Sequence, residues 1–128
     1  MENERSAIIT VGGKEYKLVL STKATKEIGK RYGGLENLGD KLLKTENFEF
    51  AMEEITWLIV MLANQSVLAH NLLNPNDKQE LLTEEAVDLL TTPLEIASFK
   101  DAIMEAMMKG TNRHIQSEDG GEGNNPGG

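Results

Sequence analysis

The stretch that decides the fold runs from residue 7 to residue 20 and reads Ala7-Ile8-Ile9-Thr10-Val11-Gly12-Gly13-Lys14-Glu15-Tyr16-Lys17-Leu18-Val19-Leu20. Two β-prone runs flank a Gly-Gly dipeptide, which suits the tight turn between two antiparallel strands. A two-residue loop fixes the register, and one face of the resulting ribbon is then almost wholly apolar. The predicted facing pairs are Val11 with Lys14, Ile9 with Tyr16, and Ala7 with Leu18. Because a lone hairpin is marginal in water, this face needs a cover, and the helix that follows at once is the nearest candidate.

Two short helices are predicted directly after the hairpin. Ser21 and Thr22 offer hydroxyls that can cap the first helix, and Gly33 suits its left-handed end. Apolar residues recur at helical spacing in both segments, at Ala24, Ile28 and Tyr32 and then at Leu35, Leu38 and Leu42. We expect the two helices to form a corner over the hairpin.

A long central helix is predicted from Asn47 to about Leu73, with an apolar stripe opposite Glu49, Glu53 and Glu54. Around Trp57, the run from Ile55 to Ala63 is apolar on all sides. This run spans about half of the roughly 20 residues that a bilayer requires, so no membrane association is expected. Burial on several faces explains it better, either in this core or against another copy of the chain.

The remaining elements are a break, a short helix and a last helix. Residues 74–77 contain the Pro and Asn cluster that ends the central helix, and a short helix is predicted to start near Thr83. Thr92-Pro93-Leu94-Glu95 reads as a capping box that opens the last helix. The apolar stripe of that helix is Ile96, Phe99, Ile103 and Met107, and Gly110 is expected to end it.

The predicted fold class is therefore α+β, with an N-terminal β-hairpin packed against a small bundle of four or five helices. Residues 1–116 are expected to form a single domain. Residues 117–128 are acidic, rich in glycine and poor in apolar side chains, so burial cannot offset the entropy of ordering them. They are predicted to be a disordered tail.

Charge is distributed unevenly along this chain of net charge −8. Residues 1–45 hold nine Lys or Arg against six Asp or Glu, while residues 46–128 hold four against fifteen. The two ends can pair within one protomer or head to tail between protomers, and the acidic majority argues against nonspecific nucleic-acid binding.

The absence of cysteine from the sequence excludes disulfides and thiolate sites. With an acidic, polar start that does not read as a secretory signal, this composition favours the cytoplasm.

Residues suited to catalysis are scarce. The histidines, His70 and His114, have no second ligand at metal-binding spacing, which favours structural or surface roles. The adjacent acids Glu53 and Glu54 point in different directions on a helix, so a solvated face explains them better than an acid/base pair. Neither Gly-Gly pair fits a phosphate loop. We expect no catalytic residue, cofactor or metal, and hence no enzyme.

Two groups of residues remain as candidates for binding other macromolecules. Lys23, Lys26, Lys30 and Arg31 form a basic helix that could touch phosphates, although a solvated face or a protein contact is favoured. The second group is apolar and adaptable, and could hold a partner protein, although core filling competes with that role. Its members are Trp57, Met61, Phe99, Ile103, Met104, Met107 and Met108.

The run Gly-Gly-Lys-Glu-Tyr-Lys-Leu at 12–18 closes the hairpin, and Ser-Thr-Lys-Ala-Thr-Lys-Glu-Ile-Gly-Lys-Arg-Tyr-Gly-Gly-Leu-Glu-Asn-Leu at 21–38 opens the helical part. With the acidic, Gly-rich end, this arrangement resembles the tail assembly chaperones of long-tailed bacteriophages and prophages. The resemblance is best over residues 11–43. It implies a non-enzymatic protein of the host cytoplasm that binds the tape measure protein, recruits tail tube subunits around it and often self-associates.

Two other functions stay open at this point. One is a small DNA-binding regulator that uses the helix from Lys23 to Arg31, and the other is a structural virion protein or adaptor. Co-purification with tape measure fragments, a gel shift that weakens steeply with salt, and retention in purified particles distinguish the three.

Overall fold

A computed structural model describes residues 6–44 and 48–119. A two-stranded antiparallel sheet, made of β1 (Ser6–Val11) and β2 (Lys14–Val19), opens the chain. The helices that follow are α1 (Thr22–Tyr32), α2 (Leu35–Lys44), α3 (Phe48–Leu73), α4 (Glu84–Leu90) and α5 (Pro93–Asp119). The predicted α+β class, a hairpin with five helices in the described part of the chain, is confirmed.

The hairpin has the predicted register. Its facing pairs include Val11 with Lys14, Ile9 with Tyr16 and Ala7 with Leu18. The turn places Gly12 at φ 61° and Gly13 at φ 83°, which L side chains rarely adopt, so the Gly-Gly dipeptide is what permits a two-residue loop. Ala7, Ile9, Val11 and Leu18 are buried on one face, as predicted.

The apolar face of the hairpin is covered mainly by α3 and α5: β2 packs on α3, and β1 packs on α5. The expectation that α1 and α2 would cover the hairpin was therefore wrong. Helix α1 instead packs against α2 and α3. The long helices α3 and α5 bury more apolar side chains than α1 and α2 do, so packing them on the sheet removes more apolar area from water.

Local capping signals set the helix starts as predicted. The Ser21 hydroxyl accepts a hydrogen bond from the Ala24 N–H at 3.0 Å, and the α1 helix ends at Gly33 with φ 87°. At the start of α5, the Thr92 N–H donates to the Glu95 carboxylate at 2.9 Å, and the Glu95 N–H donates to the Thr92 hydroxyl at 3.2 Å. This reciprocal pair is the capping box.

Helix α5 does not end at Gly110, so that prediction was wrong; the helix continues to Asp119. A Cβ at position 110 would lie 2.9 Å from the Leu20 Cβ and 3.1 Å from its Cδ2. Glycine is thus used here for close approach between α5 and the end of the hairpin, not as a helix terminus. Residues 117–119 of the predicted tail are helical, as the end of α5. Residues 120–128 lie outside the described residues, so their disorder stays a prediction.

We expect Gly110→Ala to lower the free energy of unfolding by about 1 kcal/mol, because overpacking against Leu20 outweighs the helix propensity of alanine. The matched control is Gly29→Ala in α1, where a new Cβ meets nothing within 4 Å. That variant should gain about 0.5 to 1 kcal/mol. Urea denaturation of both variants checks the sign, and a stabilised Gly110→Ala would refute the close contact.

Candidate functional site

An ion pair between the exposed Arg31 and the buried Glu54 joins the end of α1 to α3. The Arg31 Nε and Nη2 atoms each lie 3.1 Å from an oxygen of the Glu54 carboxylate, and the Tyr32 hydroxyl donates to the same carboxylate. The Glu54 side chain is buried, whereas the sequence had placed it on a solvated face with Glu49 and Glu53. The predicted solvent exposure of Glu54 was therefore wrong. Helical periodicity places Glu54 on the polar side of α3, but α1 brings the Arg31 guanidinium and the Tyr32 phenol against it.

The pKa values of this cluster follow from burial and hydrogen bonding. Burial opposes ionisation of Glu54, but the hydrogen bonds from Arg31 and Tyr32 outweigh it, so the pKa of Glu54 lies below its ordinary value. The hydrogen bond to Glu54 raises the pKa of the Arg31 guanidinium, and burial raises the pKa of the Tyr32 phenol. At neutral pH the carboxylate and the guanidinium are therefore both charged, and the phenol is a donor.

The same cluster positions Trp57. The guanidinium carbon of Arg31 lies 4.3 Å from the centroid of the indole, and the Tyr32 ring meets the indole edge to face at a centroid distance of 6.2 Å. Both arrangements are favourable for an aromatic ring beside a cation and beside another ring. The indole is thereby held in one orientation while part of its surface stays open to solvent.

Trp57 lines an apolar groove that runs along one exposed strip of α3. The groove has a volume of about 180 Å³, and its apolar lining consists of Trp57, Val60, Met61, Leu68 and Leu81. Trp57, Met61 and Leu68 are spaced by four and then seven residues, so they lie on the same side of the helix. Lys23 and Glu84 also contribute to the lining.

Two asparagines of α3 hold the segment that forms one wall of the apolar groove. The Asn64 side chain exchanges two hydrogen bonds with the backbone of Leu82, both at 2.8 Å. Asn71 does the same with the backbone of Gln79, at 3.0 and 2.8 Å. Asparagines seven residues apart lie on one side of a helix, so together they fasten residues 79–82 along α3 and bring Leu81 to the groove.

An acidic cleft adjoins the apolar groove. It has a volume of about 670 Å³ and lies between α3 and α4. Its carboxylates come in pairs four residues apart, with Glu49 and Glu53 on α3 and Glu84 and Asp88 on α4. Trp57 and Glu84 line both the acidic cleft and the apolar groove, so the two form one continuous surface.

The structure separates the residues predicted to bind a partner. Trp57 and Met61 lie together in the apolar groove. Phe99, Ile103 and Met107 are buried in the core, where they cannot present a surface, because the stripe that carries them packs against the hairpin and α3. Met104 is partly buried against the core and Met108 is 59% exposed on α5, and neither lines the groove.

Sequence patterns did not predict Val60, Leu68 and Leu81 as groove residues, nor the four carboxylates as a group. The spacing of Leu68 from Trp57 and Met61 was a usable signal, since it continues one helical side. Leu81 has no such signal, because a non-helical segment brings it to α3. The pairing of acids across α3 and α4 likewise depends on how those helices pack.

The basic helix predicted from Lys23 to Arg31 is partly engaged by acids. Lys30 lies 3.5 Å from Glu27, and Arg31 is held by Glu54.

His70 has a structural contact: its Nε2 lies 2.8 Å from the carbonyl oxygen of Asp77, across the turn that follows α3. Within residues 6–44 and 48–119, no group of three or more His, Asp or Glu side chains is arranged to hold a metal ion.

Helix α3 also has the length and composition of a membrane-spanning helix, with 39% of its apolar window buried. The core helix of a soluble protein meets the same criteria. Here α3 contacts β2, α1, α2, α4 and α5, so part of its apolar surface is covered by the protein itself.

No protein-family model, curated protein or solved structure matches the chain.

The Glu54 cluster predicts a specific pH dependence. A pKa lowered by folding contributes stability that is fully present above the ordinary glutamate pKa of about 4.3 and is lost as the pH falls below it. We expect Glu54→Gln to cost about 1.5 to 3 kcal/mol at pH 7, since it removes charged hydrogen bonds. The difference from wild type should begin to shrink as the pH falls below that ordinary value and should keep shrinking toward the lowered pKa of the folded state.

Urea denaturation at several pH values measures this difference. The control is Glu53→Gln, the neighbouring exposed acid, which has no ion pair with any residue in the described ranges. It should change stability by less than about 0.5 kcal/mol at pH 7. A Glu54→Gln penalty that stays constant from pH 7 to pH 3 would contradict the ion pair.

Proposed function

We propose that this protein is a non-enzymatic tail assembly chaperone of a long-tailed phage or prophage, acting in the host cytoplasm. In this role it binds a helical segment of the tape measure protein and recruits tail tube subunits around it. The observation that carries the proposal is the apolar groove on α3, an open strip lined by Trp57, Met61 and Leu68 on a helix that also supplies core residues. The resemblance of residues 11–43 to this family points the same way.

The apolar groove has the chemistry of a helix-binding surface. An amphipathic helix presents apolar side chains at spacings of three, four and seven residues, and a groove accepts them as anchors. Tryptophan and methionine are enriched at protein interfaces, and methionine adapts its shape to different partners. Because Arg31 and Tyr32 fix the indole before a partner arrives, little entropy is lost at that residue on binding.

The DNA-binding alternative has weaker support. The Arg31 guanidinium is engaged by the Glu54 carboxylate, so it is not free to pair with phosphate. The acidic cleft lies beside the same helix, and its carboxylates would repel a nucleic-acid backbone. These charges favour a protein partner over DNA.

Self-association is the second part of the proposal. Leu72 is 80% exposed and Leu73 is 77% exposed at the end of α3, and Leu89 on α4 is 74% exposed. Exposed apolar side chains of this size favour contact with protein. We propose that copies of the chain associate through exposed leucines of this kind.

Leu68→Asp tests the apolar groove directly. Placing a charge there should weaken binding of a tape measure fragment at least about tenfold, since the charge would be desolvated by the bound helix. Leu68 is already 36% exposed, so folding should be retained. The fragment is a helical segment of a phage tape measure protein, and binding is measured by co-purification and calorimetry.

The matched control is Leu94→Asp, which makes the same change at an 81% exposed leucine outside the groove. It should bind the fragment like the wild type. Equal loss in both variants, or no complex with the wild type, would count against the proposed function. A salt-sensitive gel shift abolished by Lys23→Gln with Lys26→Gln would instead support the regulator.

A further inference from the structure

We infer that the acidic cleft holds Lys or Arg side chains of the client helix whose apolar side lies in the groove. This inference rests on the proposed function and adds the chemistry of the partner to it. The client would then be recognised by two features in one helix, an apolar stripe and a basic end. Such a pattern also sets the direction in which the helix lies on α3.

The first support is continuity. Trp57 and Glu84 belong to the lining of both the acidic cleft and the apolar groove. A helix that lies along the groove and extends past the indole therefore enters the cleft. One rigid segment can occupy both.

The second support is uncompensated charge. None of the four cleft carboxylates, on Glu49, Glu53, Glu84 and Asp88, has an ion pair with a residue in the described parts of the chain. Arg31 also lines the cleft, but Glu54 already neutralises it. The helix dipole of α4 accounts for Glu84 in its first turn but not for the acids of α3. The cleft thus presents a concentrated negative field to a partner.

The third support is a buried hydroxyl without a partner. Thr56 lines the cleft and is only 5% exposed, yet its hydroxyl makes no hydrogen bond within residues 6–44 and 48–119. Thr25, Thr91 and Thr111 also lie in or at the end of helices, and their hydroxyls donate to backbone carbonyls. A buried polar group without a hydrogen bond is unusual, and here its residue lines the same cleft as the carboxylates. An ammonium or guanidinium group in the cleft would donate to it.

The spacing of the acids indicates the form of the cation. Carboxylates four residues apart on each wall match basic residues four residues apart on a partner helix. A pair of Lys or Arg residues one turn apart could therefore meet both walls. A helical peptide segment fits this arrangement, and a partner helix enters the groove and the cleft together.

The test uses the full chain and two synthetic amphipathic peptides that share one apolar side and contain no tryptophan. One peptide carries two Lys residues four positions apart at one end, and the other carries Gln at those positions. Trp57 is the single tryptophan of the protein, so its fluorescence reports binding. We expect the Lys peptide to bind about tenfold more tightly at 50 mM salt, with the preference falling toward none at 1 M.

The variant is Glu53→Gln with Asp88→Asn, which neutralises one acid on each wall. It should bind the Gln peptide as the wild type does and lose the preference for the Lys peptide. The matched control, Glu15→Gln with Asp101→Asn, makes the same charge change at acids outside the cleft and should keep the preference. Thr56→Val should fold as stably as wild type, because no protein hydrogen bond is lost, and bind the Lys peptide less tightly.

The outcomes separate this inference from the function on which it rests. If both peptides bind equally at every salt concentration, the inference is overturned while the groove assignment stands. If neither peptide binds, the groove assignment fails and the inference fails with it. If the cleft variant instead dissociates the oligomer and the peptides show no preference, the cleft binds the basic helix of a second copy, which also overturns the inference.

Discussion

The structure depends on the burial of α3, a helix that is apolar around most of its circumference between Ile55 and Ala63. Such a helix cannot be stabilised by one neighbour, because each uncovered side leaves apolar area in water. The hairpin, α5, α1 and α4 each cover part of it. What remains uncovered is the strip lined by Trp57, Met61 and Leu68, so the open surface is a consequence of how the core is closed.

Polar contacts position the residues on both sides of the apolar groove. On one side, the pairing of Arg31 with Glu54 fastens α1 to α3 and holds the indole of Trp57. On the other side, Asn64 and Asn71 fasten residues 79–82 along α3. These contacts are specific in geometry where apolar packing is not, so they fix the positions of the indole and of residues 79–82 relative to α3. A change at one of these contacts would therefore alter the shape of the groove.

The candidate site was partly predictable. Trp57 and Met61 were chosen from the sequence as apolar, adaptable residues, and they do lie side by side in the groove. Phe99, Ile103 and Met107 were chosen by the same reasoning and are core residues. Composition alone cannot separate the two outcomes, because an amphipathic stripe looks the same whether it faces a partner or the interior of its own fold. The acidic cleft was not predicted, since its two pairs of acids come from helices that are far apart in sequence.

The sequence by itself determined the features that depend on short-range chemistry. These are the hairpin register set by Gly12 and Gly13, the cap at Ser21, the left-handed terminus at Gly33 and the capping box at Thr92. Each involves atoms only a few residues apart, so local preference is enough. Only the tertiary structure decided that α3 and α5 cover the hairpin, that Glu54 is buried beside Arg31, and that Gly110 lies within a helix. Those outcomes depend on which surfaces compete for the same apolar area, and that competition is settled by the whole fold at once.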